Sequence, residues 1–210
     1  MTQLEPVIQN NRDRPKIYID DALGILIERI KKGTTYDIDI IEIGCMRSSL
    51  NHDINNISHP CCNDGHSTYL FAKTGLKCYS VDISLDHVMK AKESCSDFNN
   101  IKIIAEDAIT YAGYTFNKKI RIGLLFLDAW DLDLVDSALK HLEFYNIIKN
   151  NINDDCLILI DDTDLLYDQN SRQYYKDNSC LAGKGKLLIP ELINDGYKIF
   201  FNGRQTLLGK

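Results

Sequence analysis

Two stretches of the chain are apolar without a break and then stop on acid: Ile122-Gly-Leu-Leu-Phe-Leu-Asp128 and Cys156-Leu-Ile-Leu-Ile-Asp161-Asp162. Each run is apolar on both faces and far short of the roughly 18 residues of a membrane span, which is the pattern of a central strand of a parallel sheet covered by helices. The same alternation extends in both directions. Ile17 to Lys32 carries a helical stripe at Ile19, Leu23, Leu26, Ile27 and Ile30, with Asp20 or Asp21 placed to cap its start and Gly33 to end it. Ile38 to Ile43 reads as a strand, Ser67 to Thr74 as a helix closed by Gly75, Lys77 to Val81 as a strand, Ser84 to Ser94 as a helix, and Ile101 to Ala105 as a strand. A helix from about Leu134 to Asn150 separates the two apolar runs.

Beyond Asp162 the pattern breaks. Residues 163–186 are polar and mixed, with Tyr167, Tyr174 and Tyr175 among charges and Gly183-Lys-Gly-Lys186 near the end, a composition that suits a lid. A short helix, Leu187 to Asn194, leads to Tyr197-Lys-Ile-Phe-Phe201, Asn202-Gly203 and Arg204-Gln-Thr-Leu-Leu208. Asn-Gly between two apolar runs predicts a hairpin with a two-residue type I′ turn. The chain is therefore expected to form an α/β domain of five βα-type units that ends in an antiparallel pair.

Length and composition narrow the function. The 210 residues, 44% hydrophobic and 26% charged, suit one domain spanning 1–210, with a leader and helix in 1–33 and an excursion at 45–64. A net charge of -6 argues against a nucleic-acid partner and favours a small molecule, with or without a cation. The first residues lack an apolar signal core and no segment is long enough to span a membrane, so no membrane partner is expected and a cytoplasmic location is. Seven scattered cysteines read as reduced thiols rather than a disulfide framework.

Ligands of open parallel sheets bind outside the carboxyl ends of the strands, and that is where the acids fall. The first strand ends Ile40-Ile-Glu42-Ile-Gly44, and the chain returns with Asp64-Gly65-His66-Ser67-Thr68 opening a helix, whose free N–H groups suit an anion. The spacing is neither G-x-G-x-x-G nor a P-loop. Asp82 ends the second strand, where an acid accepts ribose hydroxyls, and Glu106-Asp107 end the third. Singly, Asp82, Asp107 and Asp164 are equally well read as helix caps. Jointly, the order fits a nucleoside with an anionic tail.

Glu42-Ile-Gly44 with Gly65-His-Ser-Thr68, then Val81-Asp-Ile-Ser84, Glu106-Asp-Ala108 and Leu127-Asp128, resemble the successive motifs of class I S-adenosylmethionine-dependent methyltransferases over residues 38 to 208. The resemblance implies a Rossmann-like, seven-stranded, mostly parallel sheet with a C-terminal antiparallel hairpin and helices on both faces. It implies cofactor contacts from Glu42, Gly44, Gly65, His66, Ser67, Asp82 and Asp107. Within that family, Leu127-Asp-Ala-Trp-Asp131 followed by Leu159-Ile-Asp-Asp162 is similar to the magnesium-dependent sugar O-methyltransferases of macrolide and aminocoumarin biosynthesis. That likeness implies Asp128, Asp161 and Asp162 as ligands of Mg²⁺, which would bind vicinal hydroxyls of a sugar or phenol-like acceptor and lower the pKa of one.

Two features depart from that pattern. The general base expected two residues beyond Asp128 is replaced by Trp130, and Asp131 either takes that role as a catalytic residue or caps the next helix, the cap being favoured. The excursion at 45–64 is too long for a tight turn and suits a cover over the methionine end, with Arg47 meeting its carboxylate. His52, His59, Cys61 and Cys62, with Cys45 and His66, make zinc conceivable, but adjacent cysteines are poor tetrahedral geometry and side chains without a metal are preferred. Cys78, Cys95, Cys156 and Cys180 read as small core residues or chance thiols. An acid at the fourth strand, Asp128, is also placed to bind the cofactor amino group without metal. Trp130, Tyr167, Tyr174 and Tyr175 suit either an acceptor wall or core anchors, and Lys184 and Lys186 either an anionic acceptor or solvent. Competing readings are a metal-independent methyltransferase acting on nitrogen or a macromolecule, and a binding module without chemistry. A nicotinamide oxidoreductase is weaker because the glycine spacing is wrong.

Overall fold

The computed structural model describes residues 18–49, 66–177, 179 and 181–210. Gly65, most of the 45–64 excursion with its His52, His59, Cys61 and Cys62, and Cys180 lie outside them. Seven strands form the main sheet: β1 (Ile38–Ile43), β2 (Cys78–Asp82), β3 (Ile101–Ala105), β4 (Ile122–Leu127), β5 (Leu157–Ile160), β8 (Lys198–Asn202) and β9 (Thr206–Gly209). Their spatial order is β3-β2-β1-β4-β5-β9-β8. The first five are mutually parallel; β9 runs antiparallel to β5 and pairs antiparallel with β8. From β1 the chain steps outward to β3 and then returns to place β4 on the other side of β1, so the crossovers diverge between β1 and β4 and open a crevice at their carboxyl ends.

Helices α1 (Ile19–Lys31), α2 (Ser67–Lys73), α3 (Leu85–Ser94), α4 (Ala108–Thr115), α5 (Ser137–Ile148) and α6 (Leu188–Asn194) complete the βα units. The apolar stripe of α1 buries Ala22, Leu23 and Leu26 together with Phe71, Leu124, Phe126 and Leu157 on one face of the sheet. The opposite face packs against Tyr111 and Ala112 of α4, Phe144 and Ile148 of α5, and Leu188 and Leu192 of α6. All six residues of β4 and all four of β5 are buried, as continuous apolar runs require when helices cover both sides. Phe71 and Phe126 meet edge to face with centroids 5.7 Å apart. Each such side chain contributes about 1.5–3 kcal/mol by leaving water.

Three local expectations are corrected. Asp20 and Asp21 lie inside the first turn of α1, where they complement the helix dipole, and Tyr18 takes the cap position without a side-chain bond. Helix α5 begins at Ser137 rather than near Leu134, because the backbone up to Asp136 makes turns instead. The terminal hairpin forms, but Asn202 pairs with Thr206, which leaves Gly203-Arg-Gln205 as the loop, and neither Asn202 nor Gly203 has the positive φ of a type I′ turn. A bulge at Phe200 and the pairing of β9 with β5 set that register.

The segment expected as a lid contains a separate hairpin, β6 (Leu165–Asp168) with β7 (Gln173–Lys176), that the polar composition did not reveal. Its base is pinned to the sheet: Thr163 N donates to Arg204 O at 2.9 Å, and Ala182 N to Thr163 O at 3.0 Å. A 3-10 turn, Gly183–Gly185, then returns the chain to the carboxyl rim. No helix among the described residues is long and apolar enough to cross a membrane.

Candidate active site at the carboxyl rim

The rim divides into two halves about the crevice. On the β1–β3 side, Gly44 holds φ +93°, and a Cβ there would stand 2.7 Å from the Asp128 carbonyl carbon and oxygen and 2.8 Å from Ala129 N. Only glycine allows the β1 loop to approach the β4 loop so closely. Glu42, one residue before the end of β1, is buried. Its Oε1 accepts from Ser67 Oγ at 2.5 Å, and its Oε2 from Thr68 Oγ1 at 2.7 Å and Ser80 Oγ at 2.5 Å. Burial pushes its carboxyl up to about 7, against the pull of the three hydroxyls, with the charge of Asp128 adding to the rise. Glu42 and Ser67 therefore form part of one hydroxyl web that ties β1, α2 and β2 together. Thr68 Oγ1 extends the web by accepting from Met46 N at 2.8 Å.

Asp82 closes β2 with its side chain 12% exposed. Its Oδ2 accepts from Cys45 N at 3.0 Å and its Oδ1 from Ser84 N at 2.7 Å, with His87 Nδ1 3.4 Å from Oδ1. Each oxygen keeps a lone pair beyond its backbone partner. Asp107 caps α4 by accepting from Thr110 N at 2.9 Å, and Glu106 Oε1 accepts from Asp107 N at 3.0 Å. Ile83, which follows Asp82, is 75% exposed and offers an apolar face at the end of β2. His66 stands at the cap position of α2. Arg47 Nη1 pairs with Asp131 Oδ2 at 3.0 Å across the crevice, both side chains being substantially exposed.

On the β4–β5 side the expected triad is assembled: ligand oxygens of Asp128, Asp161 and Asp162 all lie within 4.8 Å of one another. The sequence pointed to Mg²⁺ among them and did not place a lysine there. Lys184, fully buried, sets its Nζ 2.5 Å from Asp128 Oδ1, 3.2 Å from Asp128 O and 3.3 Å from Asp162 Oδ2. Burial alone would depress this ammonium, but Asp128, Asp162 and Asp161 outweigh it and hold its pKa above the ordinary lysine value. Asp162, at φ +51°, also lies 3.7 Å from Arg204 Nη1 through Oδ1, and Arg204 Nε donates to Asp164 Oδ1 at 2.7 Å. Burial, followed by the charges of Asp128 and Asp162, pushes the Asp161 carboxyl well above the carboxylate range; Gln205 hydrogen bonds to it.

The cap expected of Asp131 is corrected here, and the aromatic side chains take places that the sequence had left open. Asp131 neither caps α5, which starts six residues later, nor joins the acidic triad. Trp130 turns inward at φ +51°, its carbonyl accepting from Ser137 Oγ at 2.5 Å, and its ring meets His141 at 4.9 Å and Phe144 at 6.3 Å between centroids. Tyr167 and Tyr174 meet on the β6–β7 hairpin with centroids 4.9 Å apart and their planes tilted by 55°. Lys184 is not solvated but buried against Asp128 and Asp162, whereas Lys186 is exposed. His141, which the sequence reading passed over, is completely buried. Its Nδ1 lies 2.8 Å from Ser137 O, its Nε2 has no hydrogen-bond partner among the described residues, and burial, with the charge of Lys184, pushes its pKa down to about 3. The one signal for Lys184 was its bracket of glycines.

No protein-family model and no curated protein sequence matches the chain. Solved structures do resemble it. A provisionally assigned caffeoyl-CoA O-methyltransferase from Staphylococcus aureus is 14% identical, with 93% of this chain and 86% of that one covered and a TM-score of 0.55. A provisionally assigned methyltransferase from Streptococcus mutans, solved with S-adenosylhomocysteine, is 13% identical over 92% and 96%, with a TM-score of 0.51. An O-methyltransferase from Bacillus cereus, also solved with S-adenosylhomocysteine, is 13% identical over 95% and 85%, with a TM-score of 0.50. The chain thus has the Rossmann-like fold of class I S-adenosylmethionine-dependent methyltransferases.

Proposed function

We propose that this protein transfers a methyl group from S-adenosylmethionine to a hydroxyl of a small acceptor. The observation that carries the reading is the crevice between β1 and β4, where Gly44 lets two loops meet at backbone distance and acids end the strands on both sides. The residues of the β1–β3 half fit the methyl donor. Asp82 retains acceptor capacity for ribose hydroxyls, Ile83 offers an apolar face to a flat base beside Asp107, and Arg47 at the crevice mouth can exchange Asp131 for the donor's carboxylate. When bound, the donor supplies an electrophilic methyl on a sulfonium.

The chain's own contribution is positioning and proton removal. The acceptor would lie against the β4–β5 half. Its oxygen attacks the methyl carbon as the carbon–sulfur bond breaks, and its proton passes to a carboxylate of the rim. Asp128 ends β4 against the backbone of Gly44 and is held by Lys184 through both its carboxylate and its carbonyl.

The magnesium ion implied by the sequence resemblance does not fit this donor set as it is arranged. Three carboxylates suit the ion, but the Lys184 ammonium already stands among them, so a divalent cation would have to displace a buried charge paired with Asp128 and Asp162. The reading is therefore of a metal-independent reaction. A reducing compartment such as the cytoplasm suits it, a view supported by the buried free thiols of Cys45, Cys78, Cys95 and Cys156.

Calorimetry with S-adenosylhomocysteine tests the donor site. Wild-type protein is expected to bind, and Asp82→Ala to bind at least about tenfold more weakly, the loss of one or two charge-assisted hydrogen bonds. Equal affinity of the two proteins, or no binding by either, would overturn the reading.

A further inference from the structure

We infer that Lys184 is a built-in cation that stands where a divalent ion would otherwise bind, and that the acidic rim is a latent metal site exposed when this side chain is shortened. The inference deepens the reading of the rim as the acceptor wall.

A fully buried ammonium is costly unless each of its donors finds an acceptor. Lys184 donates two hydrogen bonds, to Asp128 Oδ1 and Asp128 O, and forms an ion pair with Asp162 Oδ2 at 3.3 Å. Buried and held by these two acids, Lys184 acts as a positioning residue. It does for this rim what a metal does elsewhere: it draws the carboxylates from two strand ends toward one point and neutralises part of their mutual repulsion.

The backbone is shaped to deliver it. Gly183 adopts φ +50° with its missing Cβ 2.0 Å from Asp162 O and 2.7 Å from Leu165 O, and a Cβ on Gly185 would meet Ile189 Cδ1 at 2.5 Å and Thr163 Cγ2 at 2.9 Å. Gly183 lets the 3-10 turn press against the carbonyl of Asp162, whose carboxylate Lys184 binds, and Gly185 lets it close on Ile189 and Thr163. Any side chain at position 183 would move Nζ away from Asp128 and Asp162. Lys184 thus sits in a place that the fold has to be specially built to reach, rather than on a surface where a lysine finds an acid by chance.

With the ammonium removed, three oxygen ligands within 4.8 Å of one another face a space left by a cation. Hard oxygen donors of that kind bind Mg²⁺ or Mn²⁺ with water completing the shell. Full-length wild type and Lys184→Ala are titrated with Mn²⁺ alone, bound ion being read from the loss of the free-ion electron paramagnetic resonance signal and from the thermal midpoint. Lys184→Ala is expected to bind Mn²⁺ at least about tenfold more tightly than wild type and to rise in midpoint with the ion. Adding Asp162→Asn to that variant should remove both effects.

Saturable Mn²⁺ binding by wild type that Asp162→Asn abolishes would overturn the inference, as would a folded Lys184→Ala that binds no ion. Should Lys184→Ala fail to fold without metal, recovery of its circular dichroism on adding Mn²⁺ supports the inference. With no recovery, the wild-type titration decides alone. None of these readouts involves turnover or S-adenosylhomocysteine, so failure here is distinct from failure of the methyl-transfer reading.

Discussion

Replacing Glu42 by glutamine tests the account of the β1–β3 half through the pH dependence of stability. In the folded chain the Glu42 carboxyl is raised from 4.5 to about 7, chiefly because it is cut off from water. Between those two values the native state holds a proton that the unfolded state has released. Stability therefore falls as pH rises through the window, by about 1.4 kcal/mol per pH unit, and the whole effect is on the order of 3 kcal/mol above neutrality. Below 4.5 both states are protonated and the contribution vanishes. Glutamine keeps the shape but never ionises, so the constant cost of re-orienting Ser67, Thr68 and Ser80 around an amide shifts its curve without bending it. Urea unfolding of wild type and Glu42→Gln is measured at steps from pH 5 to pH 8. The difference between the two is expected to move by about 2–3 kcal/mol in favour of the variant. Parallel profiles over that range would refute the claim that the carboxyl is forced toward its neutral form by burial.

Other outcomes follow from the same geometry. Lys184→Met keeps the stem but leaves Asp128 without its counter-charge and Asp162 with Arg204 alone, and should cost about 3–5 kcal/mol in urea unfolding, part of which Asp128→Asn in the same chain recovers. Gly44→Ala forces a Cβ against the backbone of Asp128 at positive φ; calorimetry should show loss of S-adenosylhomocysteine binding and the thermal midpoint should drop, and unchanged affinity would show that the two loops do not form the donor cradle. Asp107→Asn preserves the cap on α4 and removes the charge, whereas Asp107→Ala removes both. Stability should fall by about 1 kcal/mol only in the alanine variant, and an equal loss of S-adenosylhomocysteine affinity in both would assign Asp107 to the donor rather than to the helix alone.

The difference between what was legible and what was not follows the range of the forces involved. Unbroken apolar runs at Ile122–Leu127 and Leu157–Ile160 allow one structure, a strand covered on both sides, and the alternation of strands with amphipathic helices orders five of them in parallel. The acids that end those strands are carried to the rim by the same logic, and Asp128, Asp161 and Asp162 do converge. These are consequences of local pattern acting through burial, the largest favourable term in folding.

What the pattern could not decide is what each charged or polar group meets. Asn202-Gly203 carries the local signal of a two-residue turn, but β5 fixes the register of β9, and Arg204 and Gln205 are held in the loop by Asp164 and by Tyr18 N. Asp131 has the composition of a cap and instead finds Arg47, 84 residues away in sequence. Lys184 is the decisive case. A lysine between glycines on a polar stretch reads as solvated, and its partner Asp128 lies 56 residues earlier. The choice between an ammonium and a metal ion for three carboxylates depends on distances that exist only after the sheet, the β6–β7 hairpin and the 3-10 turn have closed on one another. By itself the sequence determined where negative charge gathers; the tertiary structure decided which cation answers it, because electrostatic pairing is set by proximity in space and burial by proximity along the chain's repeating pattern.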